Sequence, residues 1–427
     1  MTTEFSEQDA INIVKLRHMR ATPEELAAVD ERAAAAERPD DGISLDVWDA
    51  GDDPGVIPPR EWLLSNQFCC GFISSIVAAG GTGKSALRLL QFISLALGRP
   101  LCGQHVFRRC RVLLISLEDD RDELQRRITA VLLHYGIPRS ELKGWLFCAS
   151  PKLAKLAEMK DRARTRGPLV QQIREQIVRR NPDLVSLDPF IKTHGLEEND
   201  SGDMDFVCDL LASLAIEFNI AVDSPHHVHK GQVIPGDADS GRGSSGIKDA
   251  GRLVYTLCPM SEDEAGIFGV SAHERTSYVR LDAAKVNIAI KAGDAVWFRL
   301  VSVAIGNSTA TYPSGDHIQV AVPWSPPTAF AGVDEAMVNL ILNDIEKGPD
   351  SNHRYSNAPA ADDDKQAWRV VKEHCSDKSE AQCRRVIAAW IETGLLYTKK
   401  YRDPERRRMV GGLCVNNDKR PGSTTNG

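Results

Sequence analysis

A glycine-rich run between a strand pattern and a helix pattern constrains this chain most. Residues 78–85 read AAGGTGKS, which matches the phosphate-binding pattern G-x-x-x-x-G-K-[ST] except that Ala78 occupies the first glycine position. Ile73–Ala79 predicts a short strand, and Lys84–Leu97 predicts a buried helix. In this pattern backbone N–H groups surround phosphates, the lysine reaches the outer phosphates and the serine ligates Mg²⁺. The run therefore predicts a site for ATP and Mg²⁺ formed by Ala79, Gly80, Gly81, Thr82, Gly83, Lys84, Ser85 and Ala86.

Strand and helix patterns alternate through the middle of the chain. Further strands are predicted at 112–117, 184–187 and 220–223, and helices near 124–135, 169–177 and 206–218. Strands joined by helices of this length indicate an α/β fold with a mostly parallel central sheet that is covered on both faces. Residues 252–303 are richer in strand patterns and are predicted to complete one side of that sheet.

Two of the predicted strands end in a carboxylate. Asp188 follows the apolar run Leu184–Leu187, and ligands of α/β sheets bind at the carboxyl ends of strands. Asp188 is therefore predicted to ligate Mg²⁺ together with Ser85. Glu118 ends the strand at 112–117 and is predicted to position or activate the attacking water, with Asp119 and Asp120 as competing choices.

Motifs in a fixed order resemble the RecA/DnaB superfamily, and most closely the RepA-like hexameric helicases of plasmids and mobile elements. The resemblance covers roughly residues 56–305. The motifs that carry it are PPREWLL at 58–64, the loop at 78–85, LED at 117–119, LDPF at 187–190, PHH at 225–227, RGSS at 242–245, DAGR at 249–252 and KVN at 285–287. This resemblance implies a RecA-like P-loop NTPase core, assembly into a ring, most simply a hexamer, and single-stranded DNA passing through that ring.

The resemblance also implies roles for individual residues. His227 is predicted to sense the γ-phosphate, and Arg252 to act as an arginine finger that reaches the neighbouring subunit's nucleotide. Lys285 is predicted to be a second basic position near that interface and to contribute to ATP binding. The glycine-rich stretch 231–246 is predicted to be a pore loop. A metal site at His226, His227 and His229 fits by spacing, but the sequence offers no further ligands for it.

A smaller domain is predicted after the core. Residues 306–330 contain several prolines and are predicted to be a linker. Helix patterns at 334–347, 364–375 and 379–393, followed by a hairpin at 395–415, predict a winged helix-turn-helix domain over 331–415, with Trp390 in its core. The hairpin turn, KKYRDPERRR at 399–408, holds six basic and two acidic side chains. Its basic residues are predicted to contact DNA phosphates, and they are Lys399, Lys400, Arg402, Arg406, Arg407 and Arg408.

The remaining segments predict no chemistry. Residues 1–55 are predicted to be an acidic appendage, because residues 1–60 hold 14 acidic and six basic side chains, and residues 416–427 are predicted to be a disordered tail. No apolar run approaches the ~18 residues of a membrane span, so a cytoplasmic protein without a membrane partner is expected.

The sequence thus predicts a Mg²⁺-ATP-dependent, ring-forming DNA helicase that acts in the replication of a plasmid, phage or mobile element, with duplex DNA bound by the C-terminal domain. Two alternatives stay open: a RecA-like ATPase of recombination or repair that does not unwind DNA, and a DNA-binding regulator that uses ATP as a switch.

Overall fold

The computed structural model describes residues 47–228, 233–237, 251–290, 294–327, 330 and 332–421. The chain divides into two compact units, which are described separately. The first comprises Met1–Cys258 and Val279–Trp324, and the second comprises Pro259–Tyr278 and Ser325–Gly427.

A ten-stranded sheet forms the centre of the described part of the first unit. Its strands are β3 (Ile73–Ala79), β4 (Val112–Ser116), β5 (Leu146–Ala149), β8 (Leu184–Asp188), β9 (Ala221–Asp223), β10 (His226–Val228), β11 (Leu253–Pro259), β12 (Tyr278–Val286), β13 (Val296–Ala304) and β14 (His317–Trp324). Their order is β14-β13-β12-β11-β3-β9-β8-β4-β5, and β10 also pairs with β3. The strand pairs from β11 to β5 are parallel, and so is the pair of β10 with β3, whereas β13 and β14 are antiparallel.

Four helices cover the two faces of this sheet: α1 (Lys84–Leu97), α2 (Arg121–Tyr135), α3 (Pro168–Arg180) and α4 (Ser201–Glu217). Successive residues of a strand point to opposite faces. Val112 and Leu114 accordingly lie in the apolar core that contains α1 and α2, whereas Leu113 and Ile115 lie in the core that contains α3 and α4. This confirms the predicted α/β core with a mostly parallel sheet. Two short hairpins, β1 (Trp62–Leu64) with β2 (Phe68–Cys69) and β6 (Ala157–Lys160) with β7 (Ala163–Arg166), complete the unit.

The predicted linker at 306–330 is wrong for residues 317–324, which form β14. This strand pairs with β13 over its whole length, from Trp297 opposite Trp324 to Ala304 opposite His317. Pro323 lies within the strand, and a proline is tolerated there because β14 is the edge strand of the sheet. The prolines therefore indicated an edge strand rather than a linker.

The second unit contains helices α5 (Glu262–Phe268), α6 (Glu335–Lys347), α7 (Ala367–His374) and α8 (Glu380–Glu392) and the hairpin of β15 (Leu396–Arg402) and β16 (Met409–Val415). Its apolar core joins α6, α7, α8 and the hairpin, and Trp390 is 4% exposed within it, as predicted. Residues 259–278, predicted to be part of the ATPase core, belong to this unit instead. The Ser379 hydroxyl donates a hydrogen bond to the Gly266 carbonyl oxygen at 2.7 Å, which joins α5 to the start of α8.

The chain termini differ from expectation where they are described. The predicted disorder at 416–427 is wrong for 416–421, because Arg420 forms an ion pair with Glu346 at 2.9 Å and Lys419 donates to the Thr393 carbonyl oxygen at 2.8 Å. Residues 422–427 lie outside the described residues. Residues 1–46 of the predicted acidic appendage also lie outside them, while 47–61 are exposed. Within the described chain, every helix is too short or too polar to span a bilayer.

Candidate active site

The glycine-rich loop connects β3 to α1 and leaves the start of that helix without a side-chain cap. Gly81 and Gly83 have φ angles of 75° and 93°, which favour glycine. A Cβ atom on Gly83 would also lie 2.7 Å from Leu300 Cδ1. Since no described side chain caps α1, its first N–H groups can donate to a phosphate at the positive end of the helix dipole. Ala78 is tolerated in the first glycine position because it is a buried residue of β3 with no positive φ.

Lys84, Ser85 and Asp188 meet beside this loop. The Ser85 hydroxyl donates a hydrogen bond to Asp188 Oδ2 at 3.1 Å, and Lys84 Nζ lies 3.6 Å from Asp188 Oδ1. Lys84 is 3% exposed, and burial lowers its pKa against the opposing influence of Asp188 and Glu118. Neither Lys84 Nζ nor Asp188 Oδ1 has a hydrogen-bond partner in the described chain. Buried polar groups usually have hydrogen-bond partners. A phosphate beside Lys84 and Mg²⁺ beside Asp188 would supply the missing partners.

Glu118 lies next to this trio because β4 and β8 are neighbours. Ser116 is opposite Asp188 in the parallel register, and the Leu117 N–H donates to the Asp188 carbonyl oxygen at 2.8 Å. The Glu118 carboxylate is 3.4 Å from Lys192 Nζ and 3.6 Å from His227 Nε2. The carboxylate is 42% exposed, so water can reach it.

The two competing carboxylates have other partners. Asp120 is the N-cap of α2 and accepts a hydrogen bond from the Glu123 N–H at 2.8 Å. Asp119 forms an ion pair with Arg127 at 2.8 Å, and burial raises its pKa. Of the three acidic residues after β4, Glu118 is therefore the one that faces His227 and Lys192.

His227 enters the site from β10, where it lies opposite Ala78 of β3. Burial lowers the pKa of His227, and the Lys84 ammonium lowers it further, so the ring is neutral at neutral pH. Its Nε2 atom has no hydrogen-bond partner in the described residues. A neutral imidazole can donate or accept a hydrogen bond, which suits a contact with phosphate or water. His229, the third member of the alternative metal pattern, lies outside the described residues.

Arg252 and Lys285 lie away from this cluster. Arg252 is exposed and precedes β11, whose Leu253 is opposite Ser74 at the start of β3. The loop follows the other end of β3, so a rise of ~3.3 Å per residue separates Arg252 from it by roughly 17–20 Å along the strand. The Asn287 N–H donates to the Arg252 carbonyl oxygen at 3.1 Å, which brings the end of β12 that carries Lys285 to the same side. At this distance the Arg252 side chain cannot reach phosphates bound at its own loop.

A buried ion pair beneath the loop was not predicted. Arg88 of α1 contacts Asp223 Oδ1 at 2.9 Å, and both side chains are almost fully buried. The hydroxyls of Ser74 and Ser186 donate to the same carboxylate at 3.3 and 3.0 Å. Burial raises the pKa of Asp223, while Arg88 and these hydroxyls oppose the rise. The available signal was a charged residue, Arg88, within an otherwise apolar helix pattern. Lys192 was also missed, because it lies in a single 3₁₀ turn, Phe190–Thr193, which is too short to show a periodic pattern.

The six basic residues of the second unit's hairpin are all exposed. Lys399, Lys400 and Arg402 lie on β15, while Arg406, Arg407 and Arg408 follow in the turn. Arg406 forms an ion pair with Asp362, and the Arg408 carbonyl oxygen accepts a hydrogen bond from the Asp403 N–H at 2.9 Å. The turn therefore presents several cations to solvent on an ordered backbone. Of the predicted pore loop at 231–246, only 233–237 are described.

In a comparison with protein families, a family model described as an AAA domain matches residues 20–233, which is half of the chain. The match includes the glycine-rich loop, Glu118, Asp188 and His227 and ends before Arg252 and Lys285. It begins at residue 20, within the segment predicted to be an appendage.

Proposed function

The chain belongs to the AAA domain family of P-loop ATPases, and from this premise we propose that it is a Mg²⁺-ATP-dependent DNA motor. In this proposal the protein forms a ring, most simply a hexamer, and acts as a RepA-like helicase in the replication of a plasmid, phage or mobile element. An AAA domain implies nucleotide binding, usually with Mg²⁺. DNA, the ring and unwinding are the parts that the proposal adds.

The proposal rests on five side chains that meet beside the glycine-rich loop: Lys84, Ser85, Asp188, Glu118 and His227. The backbone N–H groups of residues 80–86 would donate to phosphate oxygens, and Lys84 would neutralise the outer phosphates. Ser85 and Asp188 would hold Mg²⁺, which when bound adds positive charge against the phosphates. Glu118 would orient a water and accept its proton, while neutral His227, 3.6 Å from Glu118, would contact the terminal phosphate.

The position of Glu118 favours a hydrolysing motor over a switch. A switch needs nucleotide binding but can function without a carboxylate placed for water. Here the carboxylate is within 3.6 Å of His227 and is partly exposed to solvent. A RecA-like ATPase that does not unwind DNA would need the same residues, so an unwinding assay must separate it from a helicase.

A strand-displacement assay run beside an ATPase assay tests the proposed function. The full-length protein should separate a labelled strand from a partial duplex only when ATP and Mg²⁺ are both present. The Lys84→Ala variant is the matched control and should leave the duplex intact. Hydrolysis that DNA stimulates but that never displaces the strand would contradict a helicase and favour the recombination or repair ATPase.

Arg252→Ala should keep ATP binding and reduce hydrolysis by roughly 10³-fold or more, because an arginine finger contributes about that much to turnover. Because Arg252 lies roughly 17–20 Å from its own loop, the proposed finger would act across a subunit interface. Mixing Arg252→Ala with Lys84→Ala should therefore restore part of the activity, since some interfaces then combine an intact loop with an intact finger. Mixed assemblies that recover no hydrolysis would contradict action of Arg252 in trans.

The C-terminal unit is proposed to be a winged helix-turn-helix that binds duplex DNA through its basic hairpin. Support comes from the order of three helices and a hairpin and from six exposed basic side chains on that hairpin. These residues are Lys399, Lys400, Arg402, Arg406, Arg407 and Arg408.

Replacing Arg406, Arg407 and Arg408 together with alanine should flatten the salt dependence of duplex binding. Each phosphate contact contributes about −0.9 to the slope of log K against log salt, so the slope should fall by roughly two to three units. The loss should be similar for different DNA sequences, because phosphate contacts carry no base information.

ATP hydrolysis without DNA is the control readout and should persist in the hairpin variant. A triple variant of exposed basic residues on the other unit, Lys143, Arg162 and Arg179, has the same charge change and should retain the slope. Equal slopes for wild type and the hairpin variant would contradict the assignment.

A further inference from the structure

His353 lies in the segment that connects α6 to α7 in the second unit, and a nearby carboxylate holds its ring. His353 is 7% exposed, and its Nδ1 atom lies 2.7 Å from Asp350 Oδ2. The other oxygen of the same carboxylate, Asp350 Oδ1, accepts hydrogen bonds from the backbone N–H groups of Asn352 and His353 at 2.7 and 3.0 Å. An ionised Asp350 beside Nδ1 favours the tautomer with the proton on Nδ1. That tautomer leaves a lone pair on Nε2.

Two carboxylates of the hairpin turn face this lone pair. His353 Nε2 lies 3.8 Å from Asp403 Oδ1 and 3.7 Å from Glu405 Oε2. Asp403 is 2% exposed, and Asp403 Oδ1 accepts hydrogen bonds from the N–H groups of Glu405 and Arg406 at 2.9 and 2.8 Å. Glu405 is 71% exposed. The backbone of the turn therefore fixes one carboxylate, while the second can adjust.

The spacing of these three groups fits a cation between them. His353 Nε2 has no hydrogen-bond partner in the described chain, and both carboxylate contacts are too long for a direct hydrogen bond. Ligand bonds of about 2.0–2.2 Å place two tetrahedral ligands of one metal ion roughly 3.3–3.6 Å apart. The two separations from His353 Nε2 need to shrink by only a few tenths of an ångström to match, and the two carboxylate oxygens lie within 4.8 Å of each other. Three acceptors that face one another without a cation would repel.

Lys365 is the neighbouring cation that competes with this interpretation. Its ammonium lies 3.5 Å from Glu405 Oε2 and 3.4 Å from Asp362 Oδ2. Glu405 Oε2 is also the oxygen that faces His353, so Lys365 already supplies one positive charge to the cluster. Lys365 donates no hydrogen bond to His353 Nε2, which stays without a partner in the described chain.

We propose that His353, Asp403 and Glu405 bind one divalent metal ion with the ligand preference of Zn²⁺, and that water completes its coordination. The ligand atoms of these three residues all lie within 4.8 Å of one another. Imidazole and carboxylate together suit Zn²⁺, and a carboxylate behind the ligating imidazole is the usual arrangement around it. Bound metal would fasten the hairpin turn to the loop that carries His353. The proposal does not depend on nucleotide or DNA binding.

Metal content of the full-length protein tests the proposal. The protein is first stripped of metal with a chelator and then equilibrated with Zn²⁺ in the presence of excess Mg²⁺ and the absence of nucleotide. After gel filtration, elemental mass spectrometry measures the retained Zn²⁺, and a separate Zn²⁺ titration measures the affinity. Wild type should retain about one equivalent, and His353→Gln should lose it. Asp350→Asn should bind about 10–100-fold more weakly, which is the usual cost of removing the partner of a ligating histidine. Co²⁺ in place of Zn²⁺ should give visible absorption bands that His353→Gln lacks.

Glu405→Gln is a second test in case His353→Gln fails to fold, because the Glu405 side chain is largely exposed and its replacement should not disturb folding. It should weaken Zn²⁺ binding at least as much as Asp350→Asn does. His374→Gln is the matched control, since it removes a different histidine–carboxylate pair of the same unit, 2.8 Å from Asp344, and should leave the equivalent in place. A wild-type protein that retains no Zn²⁺, or Zn²⁺ that all variants retain equally, would overturn the site and leave an ion-pair cluster only.

Discussion

Replacing Lys84 with alanine should lower the rate of ATP hydrolysis and the affinity for ATP, each by at least about 100-fold. The ammonium is almost fully buried at the start of α1 and has no hydrogen-bond partner in the described chain. Its burial lowers its pKa, and a phosphate beside it would supply the charge that offsets this cost. Turnover from released phosphate and affinity from a fluorescent ATP analogue measure the two effects.

Lys143→Ala is the control for this experiment, because Lys143 is exposed on the same unit and should leave both measurements unchanged. The thermal transition should show that Lys84→Ala is folded. If Lys84→Ala hydrolyses ATP as fast as wild type, the glycine-rich loop does not bind the phosphates that react.

Glu118→Gln should bind ATP with near wild-type affinity and hydrolyse it about 10²–10⁴-fold more slowly, which is the usual contribution of a positioned base. The amide keeps the shape of the side chain and its place beside Lys192 and His227 but cannot accept a proton. Single-turnover hydrolysis of bound ATP measures the step directly.

Asp119→Asn is the matched control, since the same chemical change then falls on a carboxylate that pairs with Arg127. It should slow hydrolysis far less than Glu118→Gln. The reverse order of the two effects would move the water-positioning role from Glu118 to Asp119.

Local patterns predicted most of the ATPase core. β3 and α1 were placed with the bounds that the structure has, because a buried strand, a glycine turn and a buried helix are each determined by nearby residues. The resemblance places Glu118 on a different strand from Asp188, and the structure pairs these two strands, β4 and β8. That pairing brings the two carboxylates to one edge of the sheet.

Long-range contacts explain what the sequence could not predict. The Arg88–Asp223 ion pair joins residues far apart in the chain, and no spacing pattern connects them. The cluster of His353, Asp403 and Glu405 likewise forms only when the hairpin turn folds back on the loop before α7. For β14, the edge position that allows Pro323 is a property of the whole sheet. The same holds for residues 259–278, whose assignment to the second unit depends on contacts of α5 with α8.

The most direct test of the central claim is the rate of phosphate release by the full-length protein with Mg²⁺ and ATP, compared with the rate of the Glu118→Gln variant as background. The account predicts turnover that requires Mg²⁺, exceeds this background by about 10²-fold or more, and rises when single-stranded DNA is added. Turnover equal to that of Glu118→Gln, with and without DNA, would contradict an ATP-hydrolysing motor.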